Sequence, residues 1–129
     1  MADYRSSKAL IIVVFIVLVA LGFSERILPA ATALFWDPTA TNSSTGGGMG
    51  TWNTASWWNG ASDAGWVTGD DASFGGTAGS AVTLSDSVIV HNLLFSTTGY
   101  TVSGSTLTLT GGTINAAENA TIRSVLAGN

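Results

Sequence analysis

From Ala81 to Leu126 the chain reads AVTLSDSVIVHNLLFSTTGYTVSGSTLTLTGGTINAAENATIRSVL, and its apolar residues come in short bursts. Val82-Thr83-Leu84, Val88-Ile89-Val90, Leu93-Leu94-Phe95, Tyr100-Thr101-Val102, Leu107-Thr108-Leu109 and Ala120-Thr121-Ile122 are the clearest, with Gly, Ser, Asn or Asp between them. Successive side chains of an extended segment point to opposite faces, and β-branched and aromatic residues favour that conformation, so each triplet predicts a short strand. If three strands make one turn of roughly twenty residues, Val82 and Leu84 stack beneath Tyr100 and Val102, and those beneath Ala120 and Ile122. On the same spacing Val88 and Val90 lie under Leu107 and Leu109, and Phe95 under Ile114. Apolar falls on apolar each time, while Thr83, Thr101, Thr108 and Thr121 face outward. The expectation is an all-β chain whose second half, residues 81–129, coils as a short parallel β-helix, a solenoid. The alternative is an antiparallel β-sandwich or meander, because Thr110-Gly111-Gly112-Thr113 suits a two-residue hairpin and Thr98-Gly99 a longer one. A coil of this kind leaves its last rung, around Ala120 to Leu126, as an unpaired edge that can template another chain, so self-association through the open C-terminal rung is expected.

Residues 34–80 have a different texture: all five tryptophans, Trp36, Trp52, Trp57, Trp58 and Trp66, fall in a stretch rich in Gly, Ser, Asn and Thr. Asp37-Pro38 and Asn59-Gly60 are turn signals and Gly46-Gly47-Gly48 a flexible tip, which predicts short strands joined by loops and no helix. A stacked coil cannot bury its end rung without a lid, and aromatics ahead of the first rung would supply one. The competing use of an indole is stacking on a sugar, an apolar face with one hydrogen-bond donor. For that use the candidates are Trp52, Trp57, Trp58 and Trp66. Trp57 and Trp58 point to opposite faces if they share a strand, so one of them is the better placed for exposure.

The amino terminus adds a segment of another kind. Arg5 and Lys8 precede an apolar run from Ala9 to Leu21, and a polar stretch then closes with Ala31-Thr32-Ala33. Basic residues, an apolar run and small residues in that order read as a secretory signal peptide over 1–33, cleaved after Ala33. About fifteen apolar residues make roughly 22 Å of helix, short of the ~30 Å hydrocarbon core that a retained anchor has to cross. Membrane contact is therefore expected only during export. Removing 1–33 leaves six acidic side chains against Arg123, a formal charge of −5.

That balance argues against a nucleic-acid partner, which needs clustered basic side chains. With no cysteine in the 129 residues, neither a disulfide framework nor a thiolate metal site is available. His91 is the only histidine, read as a surface or turn residue, and Asp63, Asp70 and Asp71 read as solvated loop acids, because adjacent carboxylates diverge in an extended chain and no calcium-loop spacing is present. Gly46 to Gly50 lacks the following lysine and helix of a nucleotide loop. No catalytic residue, cofactor or metal is assigned.

Phe35-Trp36-Asp37, Gly50-Thr51-Trp52-Asn53, Trp57-Trp58, Gly65-Trp66 and Ala72-Ser73-Phe74-Gly75-Gly76, followed by Leu94 to Val102 and Leu107 to Gly112, together resemble the N-terminal region of bacterial proteins with autotransporter-associated β-strand repeats. That resemblance implies a right-handed β-helix, export, and display at or release from the surface of a Gram-negative-type cell. It also implies that a Leu-Ala-Gly such as Leu126-Ala127-Gly128 is followed by further Gly- and Leu-rich repeats, whereas here the sequence stops at Asn129. Two functions are expected from different classes: a secreted or cell-surface structural module without catalysis, or an extracellular carbohydrate-binding module whose partner is a polysaccharide.

Overall fold

The computed structural model describes residues 29–128; the expected signal peptide therefore lies, but for Pro29 to Ala33, outside the described residues. Thirteen strands and no helix make up this part of the chain. The lid region holds β1 (Ala33–Trp36), β2 (Gly50–Thr51), β3 (Trp57–Trp58) and β4 (Asp63–Ala64). Then come β5 (Asp71–Phe74), β6 (Ala81–Leu84), β7 (Val88–Val90), β8 (Leu93–Phe95), β9 (Tyr100–Gly104), β10 (Leu107–Leu109), β11 (Ile114–Ala116), β12 (Ala120–Ile122) and β13 (Leu126–Gly128). Every triplet read from the alternation is a strand. Ile114–Ala116 and Leu126–Gly128 are strands as well, although only their first residues are large and apolar.

The strands pair across three sheets, ordered β11-β8-β5-β1-β3-β4, β12-β9-β6-β2 and β13-β10-β7. From β5 onward the chain visits the three sheets in rotation, and each strand pairs in parallel with the strand three places further along. Pairing among residues 81–128 is parallel throughout, so the antiparallel alternative does not hold there. Thr110 to Thr113 is no hairpin: β10 bonds to β7 and β13, while β11 bonds to β8 in another sheet. Likewise Thr98-Gly99 links β8 to a strand of a different sheet. Among the described residues antiparallel pairs occur only in the lid, where β3 pairs with β1 and, across an Asn59-Gly60 turn, with β4. There Asn59 Oδ1 accepts from the amides of Ala61 and Ser62, both at 2.9 Å.

Two of the expected registers shift by two residues. Val82 lies opposite Val102 rather than Tyr100, and Leu84 opposite Gly104. Phe95 lies opposite Ala116, with Ile114 opposite Leu93. Tyr100 over Ala120 and Val88 over Leu107 stand as expected. A shift of two keeps the same side chains inward, so an apolar pattern cannot sense it. Close backbone contacts decide the register instead: a Cβ on Gly79 would meet the Tyr100 amide nitrogen at 2.2 Å and one on Gly104 would meet the Leu84 carbonyl oxygen at 2.4 Å. Only hydrogen fits at those crossings.

The core is a single column. Val82, Leu84, Val88, Val90, Leu93, Phe95, Tyr100, Val102 and Leu107 are buried within it, and Phe74 stacks on Phe95 with centroids 5.2 Å apart and ring planes 20° from parallel. Thr83 and Thr121 are exposed on the outer face, whereas Thr101 and Thr108 are half-buried.

Gly111 and Gly112 separate two kinds of glycine requirement. Gly111 has φ +74° and open space around its absent Cβ; Gly112 faces the His91 carbonyl oxygen, 1.8 Å from where a Cβ would sit. Gly111→Ala is expected to cost about 1–2 kcal/mol, the penalty of a left-handed backbone, and Gly112→Ala about 3 kcal/mol or more, because two backbones must part. Thermal unfolding of the two variants checks the order.

Candidate functional site

Tryptophans and Phe74 form the one dense constellation of large side chains among the described residues. Trp36 and Trp57 meet at 4.9 Å with planes at 70°, Trp52 and Trp66 at 5.0 Å and 81°. Trp52 and Trp57, and Trp57 and Trp66, lie 4.9 Å apart in tilted pairs. Near-perpendicular contacts set the positive edge of one ring against the negative face of the next, an arrangement worth ~0.5–1.5 kcal/mol per pair beyond area burial. Trp36, Trp52 and Trp57 all touch Phe74, at centroid distances of 5.5, 5.2 and 5.5 Å.

Burial separates the four candidate stacking residues. Trp52 and Trp57 are 0 % exposed. Neither indole presents a face to solvent, so the expectation that they stack on a sugar is corrected: their faces are covered by one another and by Phe74. Trp66 is partly buried and packs against the same cluster. Trp58, on the opposite face of β3 from Trp57, is half-buried and belongs to no aromatic pair among the described residues. The structure therefore brings Trp52, Trp57 and Trp66 together as a lid and leaves Trp58 apart from it.

Polar groups hold the lid in place. Trp36 Nε1 donates to the Gly48 carbonyl at 2.8 Å and Trp57 Nε1 to the Trp52 carbonyl at 3.3 Å. Asp37, read from the sequence only as part of a turn, is fully buried. Its carboxylate accepts from the Thr41 amide (2.8 Å), the Thr41 hydroxyl (2.7 Å) and the Ser43 amide (3.0 Å), which satisfies a charge that burial would otherwise penalise. Donors four and six residues after an Asp-Pro were the available clue. Gly46 lies so close that a Cβ there would meet Asp37 Oδ1 at 2.4 Å. Tyr100 ties the lid to the column, its hydroxyl donating to the Gly75 carbonyl.

The acids and the histidine serve the turns. Asp71 Oδ1 accepts from the Asn92 amide (2.9 Å), Asn92 Nδ2 (3.0 Å) and His91 Nδ1 (2.9 Å). Asn92 Oδ1 in turn accepts from the Thr113 amide at 2.9 Å, so one polar ladder runs through three successive turns. Asp70 points elsewhere and accepts from the Thr32 amide at 3.0 Å, and Asp63 Oδ2 from the Asn42 amide at 3.2 Å. These three acids are half-buried acceptors rather than freely solvated. An open hollow of about 710 Å³ lies beside Asp71, His91 and Thr110, under Pro29 to Ala31. Its one carboxylate oxygen in reach of His91 already carries three hydrogen bonds, and the geometry gives it a turn-fixing role. Among the described residues no three His, Cys, Asp or Glu side chains converge on a metal-sized point.

The chain is 41 % identical over 113 residues to a segment of the adhesin BmaC autotransporter of Brucella suis biovar 1 (strain 1330), an alignment covering 77 % of this chain and 3 % of that protein. The chain thus spans a small fraction of its relative's length. No family model matches the sequence, and no solved structure matches it.

The lid and its anchor to the column can be tested separately. Trp57→Ala is expected to destabilise the protein by ~3–5 kcal/mol through the cavity it opens under the lid, whereas Trp58→Ala changes stability by less than about 1 kcal/mol; thermal melts separate them. Burial pushes the Tyr100 phenol above its ordinary value, with a hydrogen bond from the Gly48 backbone opposing the shift. The unfolded phenol ionises near 10 while the folded one keeps its proton, so this contribution to stability is fully present below about pH 10 and lost as pH rises through the raised folded value. Tyr100→Phe should remove that alkaline slope and cost about 1 kcal/mol at neutral pH from the lost hydrogen bond, as read from melting temperature against pH.

Proposed function

We propose that this chain is a structural module exported to the surface of a Gram-negative-type bacterium, forming the lid and opening rungs of a right-handed parallel β-helix and performing no catalysis. The observation that carries this reading is the indole lid seated on Phe74 at the head of three parallel ladders, with Trp52 and Trp57 wholly enclosed. Side chains that occupy both faces of every buried indole make a nucleation and closure device, and leave no pair of free faces for a saccharide. Similarity to a segment of a protein named as an adhesin autotransporter supports the surface assignment. In this reading the module starts the fold and supports the rungs stacked upon it, and residues 1–33 direct it across the inner membrane.

Thr32 and Ala33 take part in the β1–β5 ladder: the Asp71 amide donates to the Thr32 carbonyl at 2.9 Å, and Ala33 pairs with Asp71. Cleavage after Ala33 would remove those contacts and leave Leu34, whose side chain is buried, as the first residue. Production of the full chain in a Gram-negative host, with fractionation and N-terminal sequencing of the product, tests the proposal. The expected product lies outside the cytoplasm and begins at Leu34; a cytoplasmic product retaining Met1 would overturn the export half, and an unchanged melt for Trp57→Ala would overturn the lid.

A further inference from the structure

β1 and β3 each send one aromatic side chain into the lid and its neighbour outward. Trp36 and Trp57 are buried, whereas Phe35 and Trp58 lie half-buried on the outer face of the sheet. The pairing sets the outward residues in one line. Trp58 lies opposite both Asp63 and Phe35, Phe35 opposite Ser73, Ser73 opposite Leu94, and Leu94 opposite Asn115. Strands lie ~4.8 Å apart, so Trp58 to Leu94 covers roughly 14 Å. A sheet face turned to solvent ordinarily alternates to polar side chains. In the other two sheets the outward residues are of that kind or aliphatic, Thr51, Thr83 and Ser103 in one and Ile89 and Thr108 in the other, with no aromatic ring among them. Phe35 and Trp58 face each other directly, yet neither forms a ring pair among the described residues. Closure of the core accounts for the inward rings and leaves these two without a use.

We propose that this line of outward side chains is a binding surface for a neutral polysaccharide, laid from Trp58 towards Leu94 with the Trp58 indole and the Phe35 ring carrying the apolar faces of its sugar rings. A sugar ring has C–H groups on its faces and hydroxyls at its rim, which suits a strip that is apolar along its middle and polar at its borders. The Ser73 hydroxyl, able to donate and to accept, interrupts the apolar run, and the Asp63 carboxylate and Asn115 amide end it. Two residues away on the same face, the Asp71–Asn92–Thr113 ladder runs along one side.

Charge selects the class of ligand. Asp63 and Asp71 border the strip, and Arg123, the only Lys or Arg among the described residues, follows β12 in another sheet. An acidic polymer or phosphate headgroup therefore meets like charge with no cation to hold it, while a neutral chain of hydroxyls meets acceptors. A second copy would bring the same acidic border against its own, on chains of formal charge −5 beyond residue 33.

The surface needs the pairing of the first sheet and neither export nor the enclosed indoles. Affinity electrophoresis of the full chain through native gels containing hydroxyethylcellulose, laminarin or galactomannan tests it. Retardation is expected in at least one of the three and should persist at high salt. Trp58→Ala should weaken that binding by about tenfold, and Trp58→Phe, which keeps a ring, by less. Phe35→Leu, which keeps an apolar side chain and removes the ring, should weaken it as well. Thr83→Ala, on the outer face of another sheet, should leave it unchanged. Far-UV circular dichroism melts show that each variant is folded. Retardation of the parent chain in none of the three gels, or equal retardation of parent, Trp58→Ala and Phe35→Leu, overturns the proposal. So does binding confined to polygalacturonate gels and abolished by salt. Concentration-dependent sedimentation that Trp58→Ala removes, without retardation in any gel, gives the surface to a second copy and overturns the polysaccharide.

Discussion

The stack of Phe74 on Phe95 is the contact on which the two halves of this protein depend. Below it lies a column of Val, Leu and aromatic side chains repeated by parallel pairing; above it lie Trp36, Trp52 and Trp57, each touching the same Phe74 ring. A repeated rung buries its inward side chains only against neighbours, so the first rung needs something above it that is apolar and broad. Indoles answer both needs. They also bring donors: the Gly48 and Trp52 carbonyls accept those of Trp36 and Trp57, while the buried Nε1 atoms of Trp52 and Trp66 have no hydrogen-bond partner among the described residues.

Register along the column is held less by the apolar core than by what happens at the corners. The Asp71–Asn92–Thr113 ladder joins equivalent turns of three circuits by side-chain-to-backbone bonds. Glycines 79, 104 and 112 sit where neighbouring backbones come so close that no Cβ fits. Side-chain burial tolerates a slip of two residues, since the inward set is unchanged, whereas a corner carboxylate or a hydrogen-only crossing does not. The acids and the histidine, which in isolation suggest chemistry, are consumed in this positional work.

The lid gives the module a direction, since among the described residues antiparallel pairing is confined to β1, β3 and β4 and the ladders run parallel from β5 onward. In the proposed role the lid starts the coil and the rungs stack upon it in parallel. Trp52 and Trp57, wholly enclosed, contribute to the stability of the lid.

Alternation of apolar and polar residues was enough to locate six of the strands from β6 to β12, because a half-buried strand writes its period of two directly into the chain. The turn at Asn59-Gly60 and the aromatic character of the lid were equally legible. Ile114–Ala116 and Leu126–Gly128 were less so: Asn115, Ala116 and Gly128 carry little β-preference, and these residues are strands because rungs beneath them supply hydrogen-bond partners. Burial of Trp52 and Trp57 but not Trp58, the buried carboxylate of Asp37, and pairing offsets of 19 to 21 residues were decided by tertiary structure alone. Each depends on contacts between residues far apart in the chain, where local pattern sets which face a side chain takes and only the packed whole sets what it meets.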